Sequence, residues 1–106
     1  MTESGTTTVR VILPVHLRRL AGLSGSETVV SVTDPVTIGA AIDAVEAAHP
    51  VLSGAIRDRA TGRRRAFVRY FACQQDLSHA PVDELLPAEI VEGREPLLIV
   101  GAMAGG

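Results

Sequence analysis

The chain has 106 residues, 46% of them hydrophobic and 21% charged, with a formal net charge of -2 at pH 7. That is one globular domain, large enough to bury a core without disulfides or a metal. The lone cysteine, Cys73, excludes a disulfide scaffold; apolar runs only a few residues long, such as Leu97 to Val100, exclude a membrane-spanning helix.

Residues 1–7 are mostly Ser, Thr and Gly and read as a flexible tail. From Thr8 to Pro14, Val9, Val11 and Leu13 alternate with Arg10 and Ile12, the period of a β-strand. Val15 to Ala21 carries His16, Arg18 and Arg19 among aliphatics, which suits a short turn or helical loop. Gly22 to Ser26 is turn chemistry, and Glu27 to Thr33 is a second strand, pairing with the first as a hairpin with a long connection.

Asp34-Pro35 breaks that strand. Thr37 is a good N-cap for a helix from Ile38 to about His49, with Ile38, Ala41, Ile42 and Val45 on one face. Pro50 stops it. Arg57 to Arg65 reads as a basic loop, and Phe67 to Cys73 as a buried third strand holding all three aromatics, Phe67, Tyr70 and Phe71. Gln74 to Asp76 is then a turn, with Leu77 to Ala80 pairing back at the sheet edge. Asp83 to Ile90 reads as a 3₁₀ turn or loop. Leu97 to Val100 is a continuous apolar run, expected to be a central strand covered on both faces.

One amphipathic helix must cover one face of the resulting mixed sheet. The expected architecture is α+β, a β-grasp (ubiquitin-like) arrangement of four to five strands on one main helix. Its last strand should lie beside and parallel to Val9–Leu13. The domain spans 8–100, and 101–106 form an extended C-terminal tail ending in Gly105-Gly106.

Such a tail can reach roughly 20 Å when extended. Glycine has no Cβ, so the last two residues suit a channel too narrow for a side chain. The sequence resembles the ubiquitin-like sulfur-carrier proteins: the molybdopterin synthase small subunit, the thiazole-synthesis carrier and the cysteine-synthesis carrier. The resemblance runs from the opening strand at Val9 through Val36–Pro50 and Arg63–Phe71 to Ala104-Gly105-Gly106. It implies that an adenylating partner uses ATP and Mg to activate the Gly106 carboxylate, which becomes a thiocarboxylate. Met103, Ala104 and Gly105 would occupy the partner's channel.

On that resemblance the chain is a carrier rather than an enzyme and binds no cofactor itself. Its partners are the activating enzyme, a sulfur donor and a downstream sulfur-accepting enzyme in the cytoplasm, molybdenum cofactor biosynthesis being one destination. Glu92-Gly93-Arg94 stands where relatives have Asp-Gly-Asp, and Gly101-Ala102-Met103 where they have proline and valine, which leaves the pathway open. The alternatives are a molybdopterin synthase small subunit, a modifier that ends on target lysines, and a binding module that works through its sheet face with an inert tail.

Arg57 to Arg69 holds six arginines and one aspartate. Arg63, Arg64 and Arg65 suit docking to an acidic partner or phosphate; a solvated loop is the plainer reading. Nucleic acid is not expected, because net charge is slightly negative and aromatics are few. All ten cationic side chains are arginine, so an activated terminus meets no lysine on its own chain. Cys73, His16, His49 and His79 match no zinc spacing, and no metal is expected. Cys73 is expected to be a small, partly buried strand residue.

Overall fold

The computed structural model describes residues 5–101. Five strands form one sheet in the order β2-β1-β5-β3-β4. These are β1 (Thr6–Ile12), β2 (Glu27–Thr33), β3 (Val68–Ala72), β4 (Gln75–Asp76) and β5 (Leu97–Gly101). The helices are α1 (Val15–Ala21), α2 (Ile38–Ala48) and α3 (Ala88–Val91), with a 3₁₀ turn at Pro50–Leu52. None of them is long and apolar enough to cross a membrane.

Alternation sets the faces of the sheet. Val9 and Val11 of β1, Val30 and Val32 of β2, Val68 and Tyr70 of β3, and Leu97 and Ile99 of β5 all point into one core. There they meet Ile38, Ala41, Ile42 and Val45, the apolar face of α2. β1 and β2 pair antiparallel from Thr6↔Thr33 to Ile12↔Glu27, two residues further toward the N-terminus than the alternation requires. β5 lies parallel to β1 through Val11↔Leu97 and Ile12↔Leu98, the central pairing expected from the two aliphatic strands.

α2 begins where a side chain satisfies a free N–H: the Ala40 amide donates to Thr37 Oγ1 at 3.0 Å. Two more are taken by a strap formed by residues 81–86. Ile38 N–H donates to the Glu84 carbonyl at 3.0 Å, and Gly39 N–H to the Val82 carbonyl at 2.8 Å. A Cβ at Gly39 would come within 3.1 Å of that Val82 oxygen, so the strap lies close against the helix end.

Several expectations need correction. Phe67 is not in the buried strand: it precedes β3 and is 60% exposed. Arg64 Nη1 holds the Val68 carbonyl and the Val68 amide donates to the Arg65 carbonyl, so residues 65–68 turn before the strand starts. The hairpin after β3 turns at Cys73-Gln74, both with positive φ, and pairing begins at Gln75. Cys73 is therefore exposed rather than partly buried. β5 is central, but only its inner face is covered fully; Leu98 is half-buried and Val100 39% exposed on the outer side. Ala88–Val91 form a short α-helix in the segment read as a 3₁₀ turn or loop.

Candidate functional site

Three elements meet where the chain leaves the sheet. β5 ends at Gly101, which pairs with Val68, the first residue of β3. On the other side, β1 runs out into Leu13-Pro14 and then α1. α1 forms because Pro14 presets the turn into the helix and Gly22, at φ 72°, closes it in a left-handed conformation. Its Leu17 is buried in the core. Val15 and Leu20 are each 50% exposed, and the helix carries His16, Arg18 and Arg19 without an acidic residue.

The His16 ring lies directly against Gly101. A Cβ at that position would fall 2.7 Å from Cε1 and 3.1 Å from Nδ1. Pro14, Val15, His16, Arg19 and Gly101 line a groove of about 510 Å³ beside the root of the tail. Phe67, exposed, stands one residue before the partner of Gly101 on the opposite side. The outward side chains of β5 and its neighbours, Ile12, Leu98, Phe71 and Val100, lead toward the same end of the sheet. Met103, Ala104, Gly105 and Gly106, the residues expected to enter a partner, lie outside the described residues.

The arginine loop is tied largely to its own fold. Arg57 Nη2 reaches Glu46 Oε1 at 2.6 Å and Asp43 Oδ1 at 2.7 Å. The hydrogen bonds that Arg57 donates to Glu46 raise the Arg57 pKa above its already high ordinary value. Arg64 donates to three carbonyls: Val68 at 2.6 Å, Ser78 at 3.0 Å and Arg65 at 3.2 Å. Arg65 donates to the Gly54 carbonyl at 2.8 Å and lies 3.6 Å from Asp58. The backbone N–H groups of Thr61 and Ala60 hold the Asp58 carboxyl below the usual range. Arg69 pairs with Asp76 at 3.1 Å. Of the three arginines singled out for docking, Arg63 alone is exposed with no side-chain bond among the described residues; Arg64 and Arg65 brace the loop.

Among the described residues no three His, Cys, Asp or Glu side chains converge as a metal set. His49 Nε2 instead lies 2.9 Å from Thr28 Oγ1, joining the end of α2 to β2. Desolvation, together with the carboxylates of Glu89 and Glu95, pushes the Cys73 thiol up, away from the thiolate a nucleophile needs. The sequence reading missed the groove at α1, having weighed His16 only as a metal ligand. The available signal was a short helix with aliphatic residues on more than one side and cations with no counter-charge.

No protein-family model and no curated protein matches the chain. Solved structures do. SAMP1 from Haloferax volcanii matches with a TM-score of 0.71 at 23% identity, over 93% of this chain and 99% of that one. Small archaeal modifier protein 1 from Methanosarcina acetivorans gives 0.68 at 17% identity, over 96% and 99%. A chain of the Amycolatopsis orientalis BexX/CysO complex gives 0.70 at 20% identity, over 92% and 99%. Strand order and these matches together show the β-grasp, ubiquitin-like fold expected from the sequence.

Proposed function

We propose that the chain is a ubiquitin-like sulfur carrier that presents Gly106 as its reactive end. The observation that carries this reading is a β-grasp domain whose central strand β5 ends at Gly101, with Ala102-Met103-Ala104-Gly105-Gly106 following. Five residues reach about 17 Å when extended, enough to carry the reacting carboxylate clear of the folded domain. The fold is shared with a chain of the BexX/CysO complex, an assembly of two different proteins.

In this reading a partner supplies ATP and Mg. A Gly106 carboxylate oxygen attacks the α-phosphorus and pyrophosphate leaves, giving an acyl adenylate. Hydrosulfide then attacks the carbonyl carbon. AMP leaves, a proton is released, and the terminus is a thiocarboxylate. No side chain of the carrier takes part in either displacement, so the chain is a substrate of its partner rather than an enzyme.

A second reading starts from the same adenylate. The matched archaeal proteins carry the name modifier protein, and a lysine amine on a target could displace AMP as hydrosulfide does. The two readings differ only in the nucleophile.

Incubation with the cognate adenylating enzyme, ATP and a sulfide source, followed by intact-mass analysis, tests them. An oxygen-to-sulfur shift is expected on the wild type; an amide-linked target adduct in its place selects the modifier. Deleting Gly106 shortens the arm by about 3.5 Å, and reacting atoms must approach to about 3–3.5 Å, so the shift should vanish. Gly105→Val should abolish it through its branched Cβ, with folding unchanged in both variants. A wild type that gains no mass, with partner binding unchanged by the deletion, returns the tail to an inert role and leaves the sheet face as the working surface.

A further inference from the structure

Most of the arginines in this chain have their charge occupied. Arg10 pairs with Glu27, Arg57 with Asp43 and Glu46, Arg65 with Asp58, Arg69 with Asp76 and Arg94 with Glu92. Arg64 is spent on three carbonyls. Arg18, Arg19, Arg59 and Arg63 have no carboxylate partner among the described residues, and of these Arg19 lines the groove beside Gly101. His16 and Arg19 supply its polar members, and neither has a carboxylate partner among the described residues. Pro14 and Val15, which line it with Gly101 among the described residues, are apolar. A half-exposed Leu20 continues the apolar surface along α1.

Position gives this surface its meaning. Gly101 forms part of the groove and is also the last residue before the tail sequence. A partner that receives residues 102–106 takes up the chain from Gly101, which is itself part of the groove. The contact between His16 and Gly101 links the two: only a residue without Cβ lets the imidazole lie over the strand end.

We propose that this groove is a docking site for the activating partner, which fills it with an aliphatic side chain and sets a carboxylate against Arg19 and His16. The inference rests on the carrier reading and adds where on the domain the partner is recognised. Charge complementarity selects the occupant. The α1 sequence carries two arginines and no acidic residue, so an acidic, apolar partner segment is attracted and a basic one repelled. Recognition at α1 is separate from chemistry at Gly106, so it should appear in the binding of the carrier and not in its turnover.

The test is ATP–pyrophosphate exchange by the cognate adenylating enzyme, measured against carrier concentration. Arg19→Glu should raise the carrier's KM about tenfold or more with kcat within twofold, and the effect should shrink at about 1 M salt, where the Debye length is about 3 Å. Arg19→Lys keeps the charge and should restore most of the affinity. Val15→Asp, which places an acid in the first turn of a helix where it is tolerated, should act like Arg19→Glu. Arg63→Glu, in the loop, should leave KM unchanged.

Unchanged KM for both α1 variants overturns the docking site while the carrier reading stands. A raised KM for Arg63→Glu alone moves docking to the loop and overturns it too. A lowered KM for Arg19→Glu would mean that the groove holds the chain's own terminal carboxylate, which also overturns it. If the wild type supports no exchange at all, the carrier reading falls and takes this inference with it.

Discussion

The Tyr70 phenol is buried in the core with its oxygen unpartnered among the described residues. Burial pushes its pKa up from 10.0 to about 12. Below pH 10 the phenol is neutral in both folded and unfolded chains and its contribution to stability is complete. Between pH 10 and 12 the unfolded chain releases the proton while the folded chain keeps it, so stability falls as pH rises, by about 2–3 kcal/mol across the window. The chain makes this readable, because it has no lysine and a single tyrosine. Urea midpoints at pH 8 and pH 11, in a Cys73→Ser background, should show the decline for Tyr70 and lose it in Tyr70→Phe. At pH 8 Tyr70→Phe should be neutral or slightly stabilising, since no hydrogen bond to protein is removed. A marked loss at pH 8 would show that the hydroxyl has a partner after all.

Among the helices, α2 is the one with a side-chain cap, Thr37, which works beside the backbone carbonyls of Val82 and Glu84. Thr37→Ala removes the acceptor for the Ala40 amide and should cost about 1 kcal/mol in chemical denaturation, with Thr37→Ser recovering most of it. This helix was legible in the sequence because periodicity, cap and the stopping Pro50 agree. The Cys73-Gln74 turn was not: turn signals are read from glycine and asparagine, and here two other residues take positive φ. Phe67 was misplaced for a related reason, since aromatic clustering says nothing about a guanidinium 3 residues earlier that turns the backbone. Arg64 itself could be seen in the sequence only as charge. Its role as a donor to Val68, Ser78 and Arg65 depends on a loop conformation that no local pattern encodes. The same holds for the α1 groove, which exists because three distant segments end at one corner of the sheet.

At the scale of the whole molecule, the core is one layer of side chains between sheet and helix. Ile42 lies in that layer at 1% exposure, and Ile42→Ala should cost about 2–5 kcal/mol in a denaturant titration. A cost below 1 kcal/mol would contradict the packing of α2 on the sheet. The parallel pairing of β1 with β5 was legible because the continuous apolar run Leu97–Val100 reads as a central strand and needs an aliphatic neighbour, which Val9–Leu13 supplies. The coverage of β5 was not, because a continuous apolar run does not distinguish a face under a helix from a face left half open.

β5 lies between two neighbours, parallel to β1 and antiparallel to β3. A pull on the chain beyond Gly101, directed along the strand, would have to slide β5 past both of them. The inter-strand hydrogen bonds would then share the load as shear instead of breaking one after another from an end. The parallel ladder with β1 is suited to this, because its bonds are evenly spaced along the strand. A force drawing on the terminus would thus be met by both ladders at once, two residue pairs to β1 and four to β3.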